Sequence, residues 1–368
     1  MNIFFRCDST LDIGTGHIFR CLALADALKK DATDVLFFCR KDPADLRSII
    51  AERGYRVVDM PWFAPIEDFD LARGNASYEQ TEFEAEDLFF LTKWASENIT
   101  KDQLGSSILV VDHYMLGIPW QEGVRRVFGK LVVIDDLLDI PHHSDLVVDP
   151  NMRLPSELDD YVVSLPDASN FFSGSQYLFI RESLKGFRKM AFNRMLERRG
   201  IEKVLVMFGG SDVQNFTKIA IEGCLKVEGV HVHVVLGFNN GNRLGLVSRY
   251  AETHRVTIHP FLREPGEIMA LCDVCIGALG TITWERCFLG LPSLIYTDQP
   301  SQKKFVNYLA SKGIVIDLGL EYSSDGVALQ LAELKSDFSQ HIALRERLFN
   351  FVDGKGINNV KEKIYEIR

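Results

Sequence analysis

No stretch of this chain reaches the roughly 18 consecutive apolar residues from which a membrane-spanning helix is built. The opening residues, MNIFFRCDST, lack the charged segment and following apolar run of a secretory signal. These absences predict a cytoplasmic protein without a membrane span. Excess positive charge is missing too. The 41 Lys and Arg residues face 51 Asp and Glu, a net charge of −10, whereas neutralising a nucleic-acid backbone needs a basic surface. A nucleic-acid partner is therefore not expected. Cysteine is sparse and odd in number, seven in 368 residues, which makes no disulfide framework. Cys272 and Cys275 form one CxxC without a second pair, and LCDVCIGA reads as a short buried strand. Core thiols are expected there, not metal ligands.

At 368 residues the chain exceeds the size at which one core keeps growing, so two domains are expected. One stretch organises the first half: RCDSTLDIGTGHIFRC, residues 6–21. An apolar run feeds it, two glycines and His17 stand at its turn, and Ile18, Leu22, Ala25 and Leu28 continue at helical spacing. That is strand, glycine loop, helix, and a helix start offers unpaired N–H groups to an anion. VLFFC (35–39) and YRVV (55–58) read as strands, residues 45–53 and 78–99 as helices, and 61–77 as an irregular acidic insertion. ILVVD, LVVID and LVVD are continuous apolar runs that suit strands buried on both faces of a parallel sheet. They end in Asp112, Asp135 and Asp149. Ligands of open α/β sheets bind beyond such strand ends, so Asp112 with His113 and Tyr114, and Asp135 with Asp136, are expected near His17. A capping role weighs evenly against a site role at Asp112 and is preferred at Asp135 and Asp149.

The basic run 187–199 reads as a solvated linker. The pattern then restarts: KVLVMF (203–208) enters GGSD and a helix, and VHVHVVLG, RVTIHP, DVCIGA, PSLIYT and IVIDLG supply further strands. Two similarly built halves predict an α/β protein with a cleft between them. His231 and His233 share one strand face, where a solvated surface is favoured over a metal pair; His142 and His143 receive no role. Of three glycine loops, IGTGH lacks the third glycine of a dinucleotide fingerprint. FGGSD caps a helix through Asp212. In GALGTITWERCFLGLP (277–292), Glu285 can accept from a ribose diol while Thr281, Thr283 and backbone N–H groups face phosphates. The structural alternative is a tight turn with an acid at a helix start.

RCDSTLDIGTGHIFRC, DHYML, VIDDLLDIPHHSDLVVDPN, MFGGSD and TITWERCFLGLPSLIY jointly resemble the UDP-sugar hydrolases of bacterial pseudaminic acid biosynthesis and the related spore-coat polysaccharide proteins. That family is similar to the lipid-linked N-acetylglucosaminyltransferase of peptidoglycan synthesis. The resemblance implies two Rossmann-like α/β domains in glycosyltransferase-B architecture: a sugar-side domain with the base over 1–170, a linker over 171–200, a UDP-binding domain over 201–345 and a C-terminal helical segment over 346–368. It implies hydrolysis of a UDP-linked 2,4-diacetamido-2,4,6-trideoxy sugar to UDP and free sugar with inversion and without a metal; no cofactor and a monomer are expected. His17 would be the general base and Tyr114 would line the sugar site, with Arg6, Asp8, Gly14, Gly16 and Asp112 on the substrate side. Gly209, Gly210, Ser211, Gly280, Thr281, Ile282, Thr283 and Glu285 would hold the nucleotide. Where the family has an Asn-Gln pair at the substrate, this chain has Ser301 and Gln302, or else Asp298 and Gln299 with a small insertion. Two other functions remain: a transferase in which His17 deprotonates an acceptor hydroxyl, and a non-catalytic UDP-sugar sensor.

Overall fold

The first half builds parallel strands that are buried on both faces in the middle of the sheet and more exposed at its edges. They are β1 (Asn2–Cys7), β2 (Asp34–Arg40), β3 (Arg56–Met60), β4 (Ile108–Asp112), β5 (Lys130–Ile134), β6 (Leu146–Val148) and β7 (Phe171–Phe172), seen in a computed structural model. It describes residues 2–9, 16–31, 34–42, 45–61, 78–165, 170–197, 199–209, 212–237, 240–259, 261–262, 264–319 and 321–367. These strands form one parallel sheet in the order β3-β2-β1-β4-β5-β6-β7. Alternate residues of β1 feed opposite cores. Ile3, Phe5 and Cys7 pack with Leu22, Ala25 and Leu28 of the helix Gly16–Leu28. Phe4 packs with Leu91 and Trp120 on the other face. Because the strand order reverses between β1 and β4, their carboxyl ends define the sheet's switch point, with Cys7 in register with Asp112.

The second half builds β8 (Lys203–Met207), β9 (His231–Val235), β10 (Val256–His259), β11 (Val274–Gly277), β12 (Ser293–Ile295) and β13 (Ile316–Asp317). Their parallel order is β10-β9-β8-β11-β12-β13, with a switch point between β8 and β11. Gly277 ends β11 against β8 so closely that a Cβ would stand 2.1 Å from the Met207 carbonyl oxygen, which excludes any larger residue.

The chain divides into Met1–Phe179 with Lys355–Arg368, and Ile180–Gly354. The region expected as a linker contains the helix Lys185–Glu197, which belongs to the second unit and buries Ala191 and Met195. Its basic run is not simply solvated. Arg188 donates to the Phe349 carbonyl at 2.6 Å, to Val352 at 3.0 Å and to Phe288, tying three chain segments together. The C-terminal segment is shared: the helix Phe338–Phe351 stays in the second unit, while Gly356–Glu366 returns to the first. There Ile357, Val360 and Ile364 join the core around the helix Gly16–Leu28. A Cβ on Gly356 would lie 2.1 Å from the Leu178 oxygen, so this docking requires glycine. Among the described residues no helix is long and apolar enough to cross a membrane. The acidic insertion lies outside the described residues except for Pro61.

Candidate active site

His17 opens the helix that follows β1, and Asp112 ends the adjacent strand β4, so the first switch point brings them together across 95 residues of sequence. The His17 Nδ1 to Asp112 Oδ1 distance is 2.5 Å, and both side chains are 1% exposed. An ionised carboxylate only accepts, so Nδ1 carries the shared proton and Nε2 is the ring's remaining basic atom. Nε2 is buried and has no hydrogen-bond partner among the described residues. This is the base-and-orienter arrangement of proton-transfer catalysts.

Arg20, one turn beyond His17, fixes the carboxylate. Its Nε donates to Asp112 Oδ2 at 2.9 Å and its Nη2 to Oδ1 at 2.8 Å. Burial opposes ionisation of Asp112, but Arg20, and then His17, hold its carboxyl well below the usual range. Arg20 Nη1 reaches Asp136 Oδ2 at 2.5 Å. The Tyr114 ring stands edge-on to His17 with centroids 4.4 Å apart. Burial, and then the Asp136 charge, push its phenol up, so it remains a donor. Gly16 begins this helix, and Gly14 lies outside the described residues.

Arg6 and Asp8, expected on the substrate side, have another place. The Arg6 guanidinium is wholly buried, donating to Asp8 Oδ2 at 2.8 Å and to Asp87 Oδ2 at 2.7 and 3.0 Å. Trp120 and Arg40 also donate to Asp87. Asp8 further accepts the Arg40 backbone N–H at 2.7 Å and His113 Nε2 at 3.2 Å, while His113 Nδ1 accepts from the Met115 N–H. His113 thus carries its proton on the nitrogen opposite to that of His17 and ties β1 to the turn after β4. Arg6, Asp8 and Asp87 thus form a buried ion network that joins β1 to the helix carrying Asp87. Asp135 and Asp149 serve as turn acceptors: Asp135 takes the Leu137 and Leu138 N–H groups and His142 Nε2, and Asp149 takes Asn151, Arg153 and Ser173.

In the second unit Gly209 follows β8 at φ +83°, a left-handed conformation that favours glycine. Gly210 and Ser211 lie outside the described residues. Asp212 caps the helix Phe216–Leu225 by accepting the Phe216 and Thr217 N–H groups at 2.8 and 3.1 Å. After β11, Gly280 is exposed and Thr281 and Ile282 are partly so. Thr283, expected to face phosphates, is instead fully buried. Its Oγ1 accepts from Gly280 N–H at 3.2 Å and from Arg286 Nη2 at 2.8 Å, so it shapes the loop from inside. Glu285 is held by Arg181, with two contacts of 2.6 Å from Nε and Nη2. Gln302 accepts from the Thr297 hydroxyl at 3.0 Å, Asp298 accepts from Gln214, and the Ser301 side chain lies outside the described residues. All seven cysteines are free and buried.

The β9 face expected to be solvated carries a stack of histidines. His233 Nδ1 and His259 Nε2 face each other at 3.1 Å, the geometry of a hydrogen bond between imidazoles, and the His231 ring lies 4.8 Å from that of His233. Burial, then the neighbouring His231 and His259 with Lys203 and Arg194, push His233 down from 6.5 to about 4. The unfolded chain then binds more protons than the folded one below pH 6.5, so stability is lost as pH falls through this window. Thermal unfolding should show this acid loss, and His233→Gln should flatten it; an unchanged profile in the variant would refute the assignment.

No family model matches the chain. It is 24% identical over 317 residues to an uncharacterised protein of Methanocaldococcus jannaschii, covering 84% of this chain and 58% of that one. It is 25% identical over 218 residues to the UDP-2,4-diacetamido-2,4,6-trideoxy-beta-L-altropyranose hydrolase of Campylobacter jejuni, covering 59% of this chain and 63% of that enzyme. The chain thus spans less than two thirds of the length of these curated relatives. Among solved structures it is similar to MurG of Acinetobacter baumannii, with a TM-score of 0.65 and 11% identity over 99% of both chains. That likeness shows the fold, two Rossmann-like α/β units of the glycosyltransferase-B type.

Proposed function

We propose that this chain is a nucleotide-sugar enzyme that hydrolyses a UDP-linked 2,4-diacetamido-2,4,6-trideoxy sugar to UDP and free sugar, in nonulosonate biosynthesis of the pseudaminic acid type. The observation that carries this reading is the buried His17–Asp112 pair, whose Nε2 has no protein partner among the described residues. The likeness to the Campylobacter jejuni hydrolase supports it. Water attacks the anomeric carbon as His17 Nε2 takes its proton. The new C–O bond forms opposite the bond to the diphosphate, whose electron pair leaves with UDP, so configuration inverts. Asp112 steadies the imidazolium that forms. The leaving diphosphate is assigned to backbone N–H groups at Gly209, Gly210 and Ser211 and at Thr281 and Ile282, the Gly280 N–H being taken by Thr283 Oγ1. Preorganised donors of that kind stabilise developing charge, and the scheme gives no role to a metal.

Glu285 is assigned to the ribose, its outer lone pairs remaining while Arg181 orients the carboxylate. Glu285→Ala should weaken UDP binding by about tenfold or more, the worth of a hydrogen bond to a charged group, with a smaller effect on turnover at saturation. Calorimetry with UDP reads this, and unchanged affinity counts against the placement. The function itself is tested by incubating the protein with a panel of UDP-linked diacetamido trideoxy sugars, with and without chelator, and following products by NMR. UDP and free sugar should appear without any acceptor. Strict dependence on an added acceptor would make the enzyme a transferase, and UDP binding without release of UDP from any sugar would make it a sensor.

A further inference from the structure

The cluster at the first switch point contains a second buried atom without a hydrogen-bond partner among the described residues. Asp136 gives Oδ2 to Arg20 Nη1 at 2.5 Å, and its side chain is 13% exposed. Its Oδ1 is buried and has no hydrogen-bond partner among the described residues. A buried carboxylate oxygen is an acceptor with strong demand for a donor, and leaving it unmet is unfavourable. Asp136 is not isolated from the proposed chemistry. The guanidinium that grips it also grips Asp112 and lies 3.2 Å from His17 Nδ1. Tyr114 stands edge-on to His17, and the nearby Asp136 charge helps push its phenol up. Within one packed cluster, then, a basic nitrogen and a carboxylate oxygen both have no partner among the described residues.

We propose that Asp136 is a specificity residue whose Oδ1 accepts a hydrogen bond from an O–H or N–H group on the sugar carbon next to the anomeric carbon. The inference rests on the reading of His17 as the base that serves the anomeric carbon. If Nε2 addresses that carbon, an acceptor in the same side-chain cluster, joined to His17 through Arg20, is placed to address a neighbouring substituent of the same ring. A carboxylate pinned by Arg20 is the right chemistry for this selection. It rewards a hydroxyl or an acetamido N–H, and it repels a substituent that only accepts.

Calorimetry tests this without turnover, in a His17→Gln background, with four probes: UDP, UDP-glucose, UDP-N-acetylglucosamine and UDP-2-deoxy-2-fluoroglucose. With Asp136 present, the two probes bearing a donor at C2 should bind at least about tenfold more tightly than the fluoro sugar, as expected for a hydrogen bond to a charged acceptor. In Asp136→Asn, Arg20 retains the carbonyl oxygen and the amide NH2 takes the Oδ1 position, so the preference should collapse while UDP affinity stays the same. Melting curves are taken first; if the asparagine variant does not fold, Asp136→Glu, which keeps the charge but displaces the oxygen, should show the same collapse. A fluoro sugar that binds as well as UDP-glucose, or a preference that survives in the folded variant, overturns the assignment of Asp136 while leaving UDP binding intact. Failure of UDP itself to bind appears in its own arm and overturns the functional reading, and this inference with it.

Discussion

Replacing His17 by glutamine is expected to slow UDP release by about 10²- to 10⁴-fold, the usual contribution of a positioned general base, with UDP affinity nearly unchanged. The separation follows from the assignment of tasks. The nucleotide contacts are assigned to the loops after β8 and β11, whereas His17 stands at the β1/β4 switch point of the other unit. Glutamine keeps a polar side chain in a site that is 1% exposed, so the helix Gly16–Leu28 should hold. Initial rates with a UDP-linked substrate, together with calorimetry using UDP, give the two numbers. Equal rates at matched affinity would remove His17 from the chemistry.

Asp112→Asn should cost a similar factor for a different reason. Arg20 donates to both carboxylate oxygens, so in the variant it retains the single amide oxygen and turns the NH2 group toward His17 Nδ1. That nitrogen must then accept, which puts the ring proton on Nε2 and blocks the base. The loss expected from this wrong tautomer is on the order of 10²–10⁴ in turnover. The variant should also melt earlier, because removing one member of a buried ion group costs up to about 3–5 kcal/mol; Arg20 keeps Asp136, so the lower part of that range applies. Rates measured well below the melting temperature separate the two effects. A destabilised variant with native turnover would show that Asp112 holds the fold and does not orient the base.

Much of the fold is legible in the chain because parallel strands covered on both faces are continuously apolar through their middles, and β1, β4 and β8 are written that way. The nearness of Asp112 to His17 is legible for a related reason: Asp112 ends such a run, and His17 opens the helix that follows the glycine loop after another. What escaped was pairing at long range. Arg6 looked available to a substrate because its partner Asp87, 81 residues away, sits on a helix where an acid reads as an exposed charge. Arg181 had no local signal at all, since it meets Glu285 across 104 residues. Arg20 did have one. Three residues after His17 on a helix is the same face, and a cation there beside a strand-end aspartate was open to inference. Thr283 was misplaced because its register toward the helix interior depends on Arg286, a buried guanidinium that also donates to the Ala278 carbonyl at 2.8 Å.

The central claim is that an imidazole at position 17 acts as a proton acceptor, and chemical rescue tests it most directly. In folded His17→Ala that still binds UDP, free imidazole added to the assay should restore UDP release in a saturable way, because the truncated side chain leaves a space of the reagent's own shape beside Asp112. Absence of rescue across the imidazole range in that variant, or release as fast as native without any imidazole, would contradict the account.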